Sequence, residues 1–193
     1  MRYLYSFLVW ISGGILWIVA LFSPKIKLFQ QGRRDVFGKM ETALKGKENL
    51  IWMHVASLGE YEQGLPVLEK LKSEYPDYTF LLTFFSPSGY EVKKNSSITD
   101  LVYYLPLDTL KNANQFIQLA KPKLAIFIKY EIWPNYLHAL KKNEIPTLMV
   151  SGMFYEKQIF FKPWGGFMRK SLNTFNHFFV QNETSKSLLN QIE

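Results

Sequence analysis

Hydrophobic positions along this chain follow two alternating periods. Apolar runs of strand length recur at residues 51–56, 79–84, 101–105, 124–128, 146–150 and 177–180. Between them the apolar residues fall at helical spacing, as in Leu65, Leu68 and Leu71, or in Leu110, Ala113, Phe116, Ile117 and Ala120. Helices are therefore expected over residues 60–74, in a short stretch ending near Lys94, over 110–120 and 133–142, and from Glu183 onward. Tyr75-Pro76-Asp77 reads as a turn, and Pro134 falls in a first helical turn, where proline is tolerated. Short apolar strands alternating with amphipathic helices predict an α/β fold: a Rossmann-like, doubly wound, mainly parallel sheet over residues 51–193. The helical pattern that opens at Glu183 reaches Glu193 without a closing glycine, as in a chain interrupted within a helix.

The first segment has neither period. Residues 3–24 carry no charge and are almost wholly apolar, with Gly13 and Gly14 in the middle. A bilayer core needs roughly 20 apolar residues, so the run just qualifies as a span. It has no small-residue cleavage pattern of a signal peptide. A spanning anchor is the favoured reading, with a helix lying in the membrane interface as the alternative. Lys25, Lys27, Arg33 and Arg34 follow the run, which by the positive-inside rule puts the rest of the chain on the cytoplasmic face of an inner membrane. The expected organisation is an anchor over 1–24, a basic juxtamembrane linker over 25–50 and a globular domain over 51–193.

Composition narrows the chemistry. With 193 residues and a net charge of +7, the chain suits an anionic partner. The basic residues gather beside the apolar segment rather than along a face with interleaved aromatics, which argues against nucleic acid. Cysteine is absent, which excludes disulfides, thiolate zinc sites and a thiol nucleophile. His54, His138 and His177 lack metal-ligand spacing and are read as structural. There is no GxGxxG, P-loop or GxSxG signature.

Ligands of open α/β sheets bind at the carboxyl ends of the strands. The candidates there are Ser57, Gly59 and Glu60 after the first strand, and Ser86, Ser88 and Gly89 after the second. Lys129 and Glu131 follow the fourth. Gly59 would permit a tight turn, and Glu60 would sit at a helix N-terminus, where an acid is favoured by the helix dipole whether or not it is catalytic. Glu131 has two open roles: partner of Lys129 or of the helix start at Trp133, or second member of an acid–base pair. Arg33 and Arg34 are either solvated linker residues or forks for a phosphate.

Taken in order, HVASLGE (54–60), TFFSPSG (83–89), YLPLD (104–108), YEIWPN (130–135) and FVQNE (179–183), behind an apolar N-terminus, resemble the 3-deoxy-D-manno-octulosonic acid (Kdo) transferases. The resemblance covers the N-terminal half of such an enzyme. It implies the N-terminal domain of a two-domain GT-B glycosyltransferase that transfers Kdo from CMP-Kdo to a lipid A precursor in lipopolysaccharide synthesis, with inversion and without a metal or other cofactor. The donor-binding half would lie outside these residues, and the fragment alone would bind acceptor without catalysis. Glu60 matches the family's general base. The family's E-x-E-x-W-P-N motif reads Lys129 to Asn135 here, with Lys129 where the first Glu is expected, which puts that residue's stabilising role in doubt and leaves Glu131 as a substitute. Arg33, Arg34, Ser57, Gly59, Ser86, Ser88 and Gly89 are the candidate acceptor contacts. The competing readings are a non-enzymatic membrane-anchored module that binds anionic lipid or a protein partner, and a GT-B transferase with another donor.

Overall fold

A computed structural model describes residues 1–192; Glu193, the last residue of the expected final helix, lies outside the described residues. Three helices come first: α1 (Arg2–Val19), α2 (Pro24–Gln31) and α3 (Val36–Leu44). Then follow β1 (Leu50–Val55), α4 (Leu58–Glu74), β2 (Thr79–Phe84), α5 (Pro87–Lys93), β3 (Leu101–Tyr104), α6 (Leu110–Ala120), β4 (Leu124–Ile128), α7 (Pro134–Lys142) and β5 (Thr147–Gly152). Two short 3-10 turns, α8 (Gly166–Leu172), β6 (His177–Val180) and α9 (Glu183–Leu189) complete the chain.

The six strands form one sheet in the order β3-β2-β1-β4-β5-β6, every pair parallel. The expected doubly wound α/β fold is what the chain forms. β1 and β2 are buried along nearly their whole length, so they read as continuous apolar runs rather than alternating ones. One face packs against α4 and α5 through Tyr61, Leu68 and Phe84. The other packs against α3, α6 and α7 through Met40, Phe116, Leu137 and Leu140, around the fully buried Trp52. The chain steps β1-β2-β3 in one direction and β4-β5-β6 in the other. Helices on opposite faces are what a single crossover hand requires of that reversal. The aromatic stretch before β6 is mostly core: Phe154, Phe160 and Phe175 are buried there, while Trp164 is exposed.

The linker expected over 25–50 is instead helical and part of the body. Val36, Met40 and Leu44 repeat at helical spacing and are buried in the same core cluster as Trp52. Glycine is needed where α2 ends. A Cβ on Gly32 would stand 2.0 Å from the Tyr104 ring, so the end of α2 reaches β3 only without a side chain there.

α1 also departs from a free-standing anchor. Its residues Tyr5, Ser6, Val9, Gly13 and Leu16 face the body at helical spacing, while Leu4, Phe7, Leu8, Trp10, Ile11, Ile15 and Trp17 are exposed. The Tyr5 hydroxyl donates to Asp108 Oδ2 at 2.9 Å, Asn135 Nδ2 donates to Ser6 Oγ at 2.9 Å, and Gln30 Nε2 donates to the Gly13 carbonyl at 3.2 Å. By length and composition α1 can cross a membrane. It is nonetheless tied to the body along most of its length.

Candidate functional site

β1 and β4 are neighbours, and the chain leaves them in opposite directions. Their carboxyl ends form the topological switch point, where open sheets of this kind bind ligands. The loop after β1 brings Ser57, Gly59 and Glu60 there, and the loop after β4 brings Lys129 and Glu131. The sequence places all five on one edge; the strand order makes the two loops adjacent.

Glu60 is the third residue of α4. Its Oε2 accepts from the backbone N–H groups of Ala56 and Ser57, both at 2.8 Å, and from Ser57 Oγ at 3.2 Å. This is the Glu arm of a capping box, which satisfies donors that the helix start leaves over. No hydrogen bond to Oε1 is found among the described residues. The side chain is therefore oriented by one oxygen and retains the other as an acceptor. Gly59 has an ordinary helical conformation and open space around its Cα, so no turn requires glycine there.

Glu131 does not pair with Lys129, and it meets the helix start at Trp133 through the indole rather than as a backbone cap. Its Oε2 accepts from Trp133 Nε1 at 2.9 Å and lies 3.3 Å from His54 Nε2. Oε1 again has no hydrogen bond among the described residues. Glu60 and Glu131 are each 8% exposed, so both carboxylates are held but not sealed from the edge. The sequence predicts a structural role for His54. It is completely buried, yet its ring reaches from β1 to this second carboxylate. The signal available in the sequence was a polar residue inside a buried strand, since such a group needs a partner. Lys129 has a left-handed backbone, φ 69°, at the sheet edge, and its Nζ stands 5.3 Å from the Tyr130 ring. A β-carbon makes that conformation unfavourable, a strain that recurs at functional sites.

The remaining candidates divide. Ser86 and Ser88, after β2, share a hydrogen bond of 2.7 Å at the exposed edge. Gly89 is buried: a Cβ there would meet the Phe84 ring at 2.3 Å and the Leu58 N at 3.0 Å, so glycine at this position serves the approach of α5 to α4. Arg33 is corrected too. Its Nε, Nη1 and Nη2 donate to the carbonyls of Leu105, Phe29 and Phe85 at 2.9, 2.9 and 2.6 Å, and its fork lies 3.6 Å over the Phe29 ring. Burial pulls the guanidinium down to about 9, which leaves it charged at neutral pH. This cation ties α2 to the ends of β2 and β3, not to a phosphate. Arg34 is exposed, and no hydrogen bond or ion pair of its fork is found among the described residues.

Asp108 joins these parts and was not singled out from the sequence. It accepts from the backbone N–H groups of Asn135 and Tyr136 at 3.1 and 3.0 Å, capping α7, and from the Tyr5 hydroxyl of α1. Burial pushes its carboxyl up to about 6 from 3.8, and the hydrogen bonds from Asn135, Tyr5 and Tyr136 only partly offset this. The folded chain thus binds the proton more tightly than the unfolded one. That contribution is complete below about 3.8 and is lost as pH rises through about 6. Wild type is expected to gain stability relative to Asp108→Asn by about 2 kcal/mol between neutral pH and about pH 4. Urea unfolding of both proteins at the two pH values checks this, and a difference that does not change with pH would refute it.

Among the described residues no three His, Asp or Glu side chains converge as metal ligands do. A family model described as 3-deoxy-D-manno-octulosonic-acid transferase (kdotransferase) matches residues 31–193. A 3-deoxy-D-manno-octulosonic acid transferase of Haemophilus influenzae is 32% identical over 152 residues, 78% of this chain and 36% of that protein. One of Aquifex aeolicus is 36% identical over 110 residues, 56% of this chain and 30% of that protein. One of Rickettsia bellii is 26% identical over 201 aligned residues, all of this chain and 46% of that protein. The chain thus spans less than half the length of these relatives.

Proposed function

Because the chain belongs to the 3-deoxy-D-manno-octulosonic acid transferase family, matched over residues 31–193, we propose that it is the acceptor-binding half of an inverting transferase that moves Kdo from CMP-Kdo to a lipid A precursor. The donor half is expected in sequence outside these residues, as the greater length of the relatives suggests. The observation that carries the reading is a juxtaposition. The apolar helix α1 is fastened through Asp108 and Asn135 to the same sheet edge that holds Glu60 and Glu131. A lipid-borne acceptor would meet the carboxylates there without leaving its membrane.

In this mechanism Glu60 Oε1 takes the proton from an acceptor hydroxyl as that oxygen attacks the anomeric carbon of Kdo and CMP departs. The three hydrogen bonds on Oε2 fix the carboxylate during the transfer. Glu131 is the second carboxylate at the mouth, in place of the acid that Lys129 replaces. Lys129 and Arg34 face the acceptor's phosphates, with the Ser86–Ser88 pair offering a neutral hydroxyl donor, while Ser57 serves the acceptor only through the carboxylate it holds. The reaction needs no metal, since one base and a positive surround suffice.

The test is Kdo transfer from CMP-Kdo to a lipid A precursor, by residues 1–193 alone and by the chain continued through a donor half. Transfer by the longer protein only is expected. Transfer by residues 1–193 unaided would sink the two-half reading. Acceptor binding without transfer by either would favour a binding module.

The stripe of α1 that faces the body also supports an anchor lying in the membrane plane, on the cytoplasmic face of an inner membrane, over a spanning helix. Trp10 and Trp17 are 68% and 60% exposed, and Lys25 and Lys27 lie just beyond the helix. Substituting Glu for both tryptophans is expected to weaken binding to anionic vesicles about tenfold or more while leaving the unfolding midpoint nearly unchanged. Vesicle sedimentation checks the first part, and undiminished binding would count against the in-plane anchor.

A further inference from the structure

Four side chains, from the adjacent strands β1 and β2 and from the loop after β4, form a buried polar chain. Trp52 Nε1 donates to Thr83 Oγ1 at 2.8 Å. Thr83 Oγ1 stands 2.9 Å from His54 Nδ1, and His54 Nε2 stands 3.3 Å from Glu131 Oε2. Trp52, His54 and Thr83 are all fully buried. Nδ1 also stands 3.1 Å from the Thr83 carbonyl, which can only accept. Thr83 Oγ1 accepts the indole proton and can turn its own hydroxyl proton to Nδ1, and the carboxylate facing Nε2 favours the ring proton there. The other neutral tautomer would aim a lone pair of Nε2 at a carboxylate oxygen.

We propose that His54 is a positioning residue for Glu131: held through Thr83, it donates from Nε2 to Oε2 and turns the unbonded Oε1 toward the switch point. Trp133 Nε1 holds the same oxygen from the other side. Two donors on one oxygen fix the carboxylate plane, as three donors on Oε2 fix that of Glu60. Among the described residues Nε2 makes no well-angled hydrogen bond, and the 3.3 Å approach to Oε2 is its polar contact. Such contacts commonly tighten only when substrate is bound. A carboxylate set in this way replaces the acid that Lys129 displaced from the loop after β4. The catalytic part of this inference rests on the transferase reading.

Asparagine and glutamine separate the two ends of the ring. His54→Asn retains a polar atom near the Nδ1 position, toward Thr83, and loses the reach to Glu131. His54→Gln puts an amide nitrogen near the Nε2 position. In the enzyme completed by its donor half, His54→Asn is expected to lower kcat about 10- to 100-fold with little change in KM for the acceptor. His54→Gln should recover a large part of that loss. A purely structural role would reduce both variants alike, in step with their unfolding midpoints. Equal losses, a loss confined to KM, or an Asn variant as active as wild type would each overturn the proposal.

A second measurement needs no turnover. In 15N-histidine spectra of residues 1–193, the resonance removed by His54→Asn should report a proton on Nε2, and it should shift when Glu131→Gln is introduced. A proton on Nδ1 alone, or indifference to Glu131→Gln, overturns the positioning role. If the wild-type enzyme transfers no Kdo, the transferase reading falls and takes the catalytic part of the proposal with it.

Discussion

Replacing Glu60 by Gln in the complete enzyme is expected to lower Kdo transfer by roughly 10²–10⁴-fold while leaving the protein folded and about as stable as wild type. Glutamine also serves as the third residue of a capping box, and its amide oxygen can take over the bonds now made to Oε2. What it cannot do is accept a proton. Glu60→Ala makes the contrast. It removes both capabilities, so it should match the Gln variant in activity and also lose about 0.5–2 kcal/mol of stability through the missing cap. Transfer assays beside thermal unfolding read the two effects separately. A Gln variant as active as wild type would reduce Glu60 to a helix-start residue and make Glu131 the candidate base. A Gln variant that unfolds would leave its inactivity without catalytic meaning.

Arg33→Lys is expected to destabilise the protein by about 2–4 kcal/mol although the charge is kept. Three nitrogens of the planar fork reach three carbonyls on different elements, and the fork also covers the Phe29 ring. A lysine ammonium is one point on a flexible stem, and it would leave two of these largely buried carbonyls short of a donor, at roughly 1–3 kcal/mol each. Arg34→Lys, a change at one exposed position, should alter stability by under about 0.5 kcal/mol. Urea unfolding of the two variants decides between the roles. Equal, small effects would return Arg33 to the list of phosphate contacts.

These cases mark how far the sequence carried. The six strands, their parallel arrangement and the helices between them were legible because burial on both faces writes uninterrupted apolar runs, and one-sided burial writes helical spacing. The segment 25–50 was misread for an equally physical reason. Its charged residues dominate the composition, while Phe29, Val36, Met40 and Leu44, spaced to bury one stripe, are too few to outweigh them by eye. Glu60 was legible because its partners are local: the cap it makes lies within four residues of it.

The sequence by itself determined the alternation of strands and helices, the edge on which the chemistry-bearing loops fall, and the candidacy of Glu60. Only the tertiary structure decided strand order, and with it that the loops after β1 and β4 are neighbours. It also decided that Arg33 serves backbone carbonyls, that Asp108 fastens α1 to α7, and that His54 faces Glu131. The physical reason is the distance along the chain. His54 lies on β1 and Glu131 in the loop after β4, and Tyr5 and Asp108 are 103 residues apart. Periodicity and capping rules reach only a few residues, so contacts of that kind leave no local trace until the sheet brings them together.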